Sequence, residues 1–164
     1  MPNTAKYYYE EAVKASVKKW ADFGAYNEVK EGDDPVSYDD AAIEALLKSR
    51  LASFDAVKAG TSPYATEEEL VLSQKWISLF WNGFEAYNEW RRTEYPILTI
   101  ADGTAINDYE LPTRMAYPAT VRSTNAINMQ EALERMGGEN NMHTPLWWSY
   151  KAVNGSSRPE HVRN

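Results

Sequence analysis

The chain has 164 residues, a length that fits one domain of ordinary size, so a single compact unit is expected. Hydrophobic residues make up 43% and charged residues 25%, a globular balance that excludes wholesale disorder. A formal net charge of -7 argues against a phosphate-binding surface and hence against a nucleic-acid partner, and the lack of cysteine excludes disulfides, thiolate nucleophiles, Cys-ligated zinc and a lipidated Cys within these residues.

The opening MPNTAKYYYEE carries neither a basic n-region nor an apolar h-region. No apolar run approaches the roughly 18 residues needed to span a bilayer, so the chain as it stands is expected to be soluble. From Asn3 to about Asp22, Ala5, Tyr8, Tyr9, Ala12, Val13, Val17 and Trp20 recur at helical spacing beside a row of Lys6, Glu10, Lys14 and Lys18. This predicts an amphipathic helix stopped by Gly24 and supported by a Glu10–Lys14 pair. An acidic loop at Glu31–Pro35 follows. Ser37 with Asp40 then resembles a capping box opening a second helix through Ile43, Leu46 and Leu47.

Gly60 to Pro63 interrupts the pattern, and Thr66 with Glu69 is a capping box for a long central helix running through LVLSQKWISLFWNGFEAYNEWRR. Lys75, Ser78, Asn82, Glu85 and Glu89 form its polar stripe. Apolar residues cover the rest, which predicts deep burial of Trp76, Phe80 and Phe84 and a close approach of a backbone or ring to Gly83. After Pro96 the chain turns irregular: Pro112, Pro118 and a turn signal at Asp102–Gly103 predict extended structure up to Asn128. Asn128 is the expected cap of a short helix that Gly137 and Gly138 end. The remainder reads as an irregular stretch ending in a polar, flexible tail over 151–164.

Four segments then converge on one family: QKWISLFWNGFEAYNEWRRTEYP at Gln74–Pro96, LPTRMAYP at Leu111–Pro118, Asn125 with Asn128, and TPLWW at Thr144–Trp148. In this order and spacing they resemble the C-terminal part of SusD/RagB-type outer-membrane nutrient-binding lipoproteins, within that family's second large branch. The opening AKYYYEEAVKASVKKW is similar to the helix that precedes this region in family members. The resemblance implies a mainly α fold, the C-terminal part of a tetratricopeptide-like helical scaffold with a long irregular C-terminal segment, over residues 1–150. It also implies a cell-surface location, a lipid anchor upstream of these residues, a TonB-dependent (SusC-like) transporter as partner, and a glycan or other nutrient as ligand. The signal peptide and most of the tetratricopeptide helices lie outside these residues, so a piece of a longer protein is expected. Two positions depart from the family pattern. Glu94 stands where the exit motif often has Gly, and Val121 stands where an acidic residue is common.

Glu85 and Glu89 lie four apart on one helix face, whereas glycosidase carboxylates oppose each other across the substrate; a solvated face or partners for Arg91 and Arg92 is the better reading. Those arginines are expected to pin an irregular segment rather than hold a ligand. Asp33, Asp34, Asp39 and Asp40 offer oxygen ligands without the alternating spacing of a calcium loop, and His143 and His161 are too scattered for a zinc site, so no metal and no cofactor is assigned. Serines lie outside any nucleophile elbow, and no Gly-rich phosphate loop occurs. Trp147 and Trp148 are the candidate sugar-stacking platform, but anchoring of the C-terminal segment to the scaffold is the better reading of the pair.

The reading is therefore a non-catalytic nutrient-binding component of an outer-membrane uptake system, with a helical-toroid glycoside hydrolase fragment and a purely structural helical adaptor as rivals. Because the first and central helices are apolar over more surface than one short helix and loops can cover, the chain taken alone is expected to keep an apolar face and to bind glycan only weakly.

Overall fold

The computed structural model describes residues 4–31, 34–35, 39–98 and 111–155. It is mainly helical: α1 Ala5–Tyr26, α2 Asp40–Lys48, α3 Phe54–Lys58, α4 Glu67–Ser78, α5 Gly83–Thr93, α6 Ala119–Thr124, α7 Ala126–Arg135 and α8 Tyr150–Asn154. Two-residue strands, β1 Lys30–Glu31 and β2 Asp34–Pro35, pair antiparallel between α1 and α2. The chain forms two compact units, where length alone suggested one. The first ends at Ala86 and the second begins at Tyr87, so the division falls inside α5.

In the first unit, α1 begins at Thr4, whose hydroxyl accepts from the Tyr7 amide. Gly24 does not stop it. The helix runs two residues further and closes when Glu28 turns left-handed at φ 56°, which brings the Glu28 amide to the Ala25 carbonyl and the Val29 amide to the Gly24 carbonyl. That pair of bonds is the Schellman closure, and it leaves Gly24 inside the helix. The expected Glu10–Lys14 pair is replaced as well: Lys14 reaches Glu11 and, on α2, Glu44, each at 3.3 Å, while Glu10 faces Lys6. The cap of α2 is Asp39, which accepts from Ala41 and Ala42; Ser37 lies outside the described residues.

The core of this unit gathers Tyr9, Val13, Ile43, Leu47, Phe54 and Leu70 from α1 to α4. Tyr9 packs on Phe54 at 5.0 Å between ring centres, and its hydroxyl donates to the Ala52 carbonyl at 2.8 Å. Burial therefore pushes the Tyr9 phenol well above its ordinary pKa. Short α3, which the sequence reading missed, starts at Ser53 and brings Phe54 into this cluster. Thr66 caps α4 as expected, and Glu69 reaches back to the Ala65 amide at 2.8 Å.

The long central helix is two helices, α4 and α5. Between them Leu79 closes α4, Trp81 is left-handed at φ 67°, and Asn82 starts α5 by accepting from Ala86 with its carbonyl and from Glu85 with its side chain. The interruption resets the phase of the apolar stripe. Phe80 and Phe84 are consequently 65% and 88% exposed, against the deep burial that an unbroken helix requires, and Trp76 is only half-buried. Gly83 is the first residue of α5 and has open space where a Cβ would stand, so no close approach explains it.

In the second unit α7 is capped by Asn125 rather than Asn128, whose amide instead donates to the Asn125 side chain at 2.7 Å. Gly137 and Gly138, at φ 101° and 102°, end it. Helix α6 interrupts the stretch expected to be irregular. Its cap is Pro118, and Val121 takes the third helical position, where an acidic side chain would complement the helix N-terminus. Glu94, the other departure, sits at φ 54°, the left-handed region that glycine occupies freely. The Asp102–Gly103 turn lies outside the described residues, as does the chain beyond Gly155. Helix α8 occupies the first residues of the expected tail.

Candidate functional site

The segment Leu111–Pro118 has little regular structure of its own, so its backbone groups need partners from elsewhere. Side chains and a neighbouring loop supply them. The amides of Thr113 and Arg114 both donate to the Met142 carbonyl, and the Thr113 hydroxyl bonds the Met142 and Thr144 carbonyls. Arg114 is buried and donates to the Asn141 carbonyl at 2.7 Å, with its guanidinium 5.0 Å from the Tyr117 ring centre. Asn140 bonds Tyr117 reciprocally, accepting from its amide at 2.8 Å and donating to its carbonyl at 3.0 Å. Asn141 accepts from the amides of His143 and Thr144 and so turns the chain towards Trp147.

Helix α5 locks this seam from the other side. Tyr87 donates to the Pro112 carbonyl at 2.9 Å and Arg91 to the Thr113 carbonyl at 3.2 Å. The Arg91 guanidinium lies 4.3 Å from the Tyr87 ring centre and 4.9 Å from that of Trp148, with Asn88 as a further acceptor. Burial raises the Tyr87 phenol above its ordinary pKa, and the Arg91 charge partly offsets that rise. Arg91 thus pins the irregular segment, as the sequence suggested. The tryptophan pair divides: Trp148 is half-buried on Arg91, whereas the neighbouring Trp147 is 85% exposed.

The two helix carboxylates divide in the same way. Glu85 is exposed, while Glu89 is buried against Arg92, with an Nη2–Oε1 distance of 2.6 Å. Glu89 is therefore the arginine partner that the spacing allowed. Asp39 serves as a helix cap, and among the described residues no three His, Asp or Glu side chains gather as a metal site. His161 and Asp33 lie outside the described residues.

A second surface, on the first unit, carries no sequence motif beyond the stripe of α1. A cavity of about 870 Å³ runs between α1 and α4, walled by Tyr8, Val17 and Trp20 on one side and Val71 and Ile77 on the other. Tyr8 and Ile77 remain more than half exposed. At its end Trp20 meets Phe80 edge-on at 5.8 Å and Phe80 meets Trp81 at 5.5 Å, so the apolar surface continues into the corner between α4 and α5.

Two helical units, one closed by a polar seam around paired arginines and asparagines and the other open along an apolar groove, define a helical scaffold protein. The sequence of residues 1–149 matches the family described as SusD-like, the SusD and RagB outer membrane lipoproteins, and the chain belongs to that family. Among solved structures it is similar to a chitin-binding protein (32% identity over 90% of this chain and 28% of that one, TM-score 0.66) and to a Bacteroidetes SusD-like protein (26% identity over 92% and 27%, TM-score 0.69). A SusD homolog from Bacteroides fragilis is also similar (27% identity over 90% and 31%, TM-score 0.64). The chain thus spans less than a third of the length of these structures. A search of curated proteins finds no match.

Proposed function

We infer that the chain forms part of a nutrient-binding component of an outer-membrane uptake system, that its ligand is a glycan, and that it works without catalysis beside a TonB-dependent transporter at the cell surface. Family membership supports the binding role, and similarity to a chitin-binding protein favours glycan as the ligand class. The observation that carries the reading to a residue is the division of the tryptophan pair. Arg91 and the seam hold Trp148 and the backbone beside it, so Trp147 is an exposed indole on a supported segment, suited to stacking on a pyranose face.

One ring supplies only weak binding, on the order of millimolar for the isolated chain. Ligand-observed NMR with chito-oligosaccharides tests this. Saturation transfer to the sugar is expected in the parent chain and is lost in Trp147→Ala, with thermal unfolding unchanged. Equal transfer in that variant removes Trp147 from the site. Incubation with a panel of polysaccharides should release no reducing sugar. Release that disappears in Glu85→Gln would favour the hydrolase reading instead.

A further inference from the structure

Two asparagines in the chain are followed by glycine, Asn82 and Asn154, and the first of them stands where α4 gives way to α5. We propose that Asn82–Gly83 is a site of spontaneous backbone modification, at which the Asn82 side chain closes on the Gly83 nitrogen and reopens as an isoaspartyl residue.

Such a reaction needs a free nitrogen, an open approach and a place for negative charge. The turn supplies all three. Gly83 is the first residue of α5, so its amide is one of the leading N–H groups that have no acceptor within a helix. Both residues are exposed, and open space lies where a Gly83 Cβ would stand, so no side chain shields the nitrogen. Asn82 Oδ1 accepts from the Glu85 amide at 3.4 Å, a long contact that tightens as charge develops on that oxygen. The N-terminal end of the 11-residue α5 favours both the deprotonated Gly83 nitrogen and the oxyanion.

The bonds change in two steps. The Gly83 nitrogen loses its proton and attacks Asn82 Cγ; the bond from Cγ to Nδ2 breaks, and the departing nitrogen takes up a proton and leaves as ammonia. The resulting five-membered imide then adds one water. Opening at Cγ gives aspartate, whereas opening at the main-chain carbonyl gives isoaspartate, in which the backbone runs through the side chain. That second product converts the carbonyl that accepts from Ala86 at 3.0 Å into a free carboxylate, so the first bond of α5 is no longer made to the main chain. Asparagines elsewhere are held differently. Asn88 and Asn141 precede Glu89 and Met142, and their side-chain oxygens accept from Arg91 and Thr144. Asn140 precedes Asn141 and is bonded to Tyr117 through both faces of its amide.

The test incubates the chain at mildly alkaline pH and follows its peptides by mass spectrometry, with isoaspartate identified by methyl transfer from S-adenosylmethionine through an isoaspartyl methyltransferase. Asn82 is expected to convert at least about tenfold faster than Asn88, Asn140 or Asn141, and within about tenfold of Asn154, which carries the same dipeptide at the C-terminal end of α8. Gly83→Ala, which fits the open space, should slow conversion at least about tenfold with the helical spectrum of the chain unchanged. Asn82→Ser keeps a capping oxygen and should abolish it. An Asn82 that stays intact while Asn154 converts overturns the proposal, because the fold then protects the dipeptide. Conversion at an equal rate in Gly83→Ala overturns it too, as does a product that is aspartate without isoaspartate, since each excludes the imide.

Discussion

The two units hold themselves together by different means. From α1 to α4, apolar side chains at helical spacing converge on Leu70, Phe54 and Tyr9, and burial is the main stabilising term. In the second unit the buried set includes Glu89, Thr93, Thr113, Arg114 and Ser149 beside Trp90, Tyr95, Met129 and Leu133, and irregular backbone is held by side-chain hydrogen bonds. A periodic stripe supports an element through repetition. An irregular segment needs a specific partner for each backbone group, so single polar residues matter more there.

The sharpest break of that comparison sets one phenylalanine against another. Phe54→Ala, which empties a buried site against Tyr9, is expected to cost about 3 to 5 kcal/mol in urea unfolding. Phe84→Ala, at an exposed position, should cost under about 0.5 kcal/mol. Equal costs would mean that the α4–α5 break is misplaced. In the second unit, Arg114→Ala is expected to lose about 2 to 3 kcal/mol by freeing the Asn141 carbonyl, and Arg114→Lys should recover only part of it because the planar fork over Tyr117 is gone. Full recovery by lysine would reduce the seam to simple charge.

Alkaline pH sharpens the contrast from the side of the first unit. The folded state raises the Tyr9 pKa, so its contribution is complete below the unfolded value near 10 and declines as pH rises past that value towards the folded one. At pH 11 the loss is at most about 1.4 kcal/mol relative to pH 8. Tyr9→Phe should start less stable, for want of the Ala52 hydrogen bond, yet show a flatter alkaline slope; an unchanged slope would show that Tyr9 is not the titrating group. The smallest effect belongs to the turn after α5. Glu94→Ile is expected to have an unfolding free energy about 1 kcal/mol below that of Glu94→Gly, since a β-branched residue is strained at φ 54° and glycine is not.

Legibility in the sequence followed the same division. The stripe of α1, the Thr66–Glu69 box and the Gly137–Gly138 stop are local signals, and each marks a real element. The α4–α5 break was hidden because Trp81, Asn82 and Gly83 sit inside an apolar run whose period continues on both sides. Helices α3 and α6, of five and six residues, are too short for periodicity to register. The seam was hidden for another reason: Arg91 meets Thr113, and Tyr117 meets Asn140, across 22 and 23 residues of mostly irregular chain. Motif order pointed to the tryptophan pair, but adjacency alone does not say which indole turns outward.

The Asn140 side chain uses both faces of its amide, one as donor and one as acceptor, against the same residue. Loss of that amide nitrogen would therefore be felt at a defined place. Hydrolysis of that amide to a carboxylate keeps the acceptor for the Tyr117 amide but replaces the donor with an oxygen facing the Tyr117 carbonyl. One oxygen in place of nitrogen thus turns a clasp into a repulsion, so an Asn140→Asp chain should loosen around Tyr117 while the core of the first unit keeps its stability.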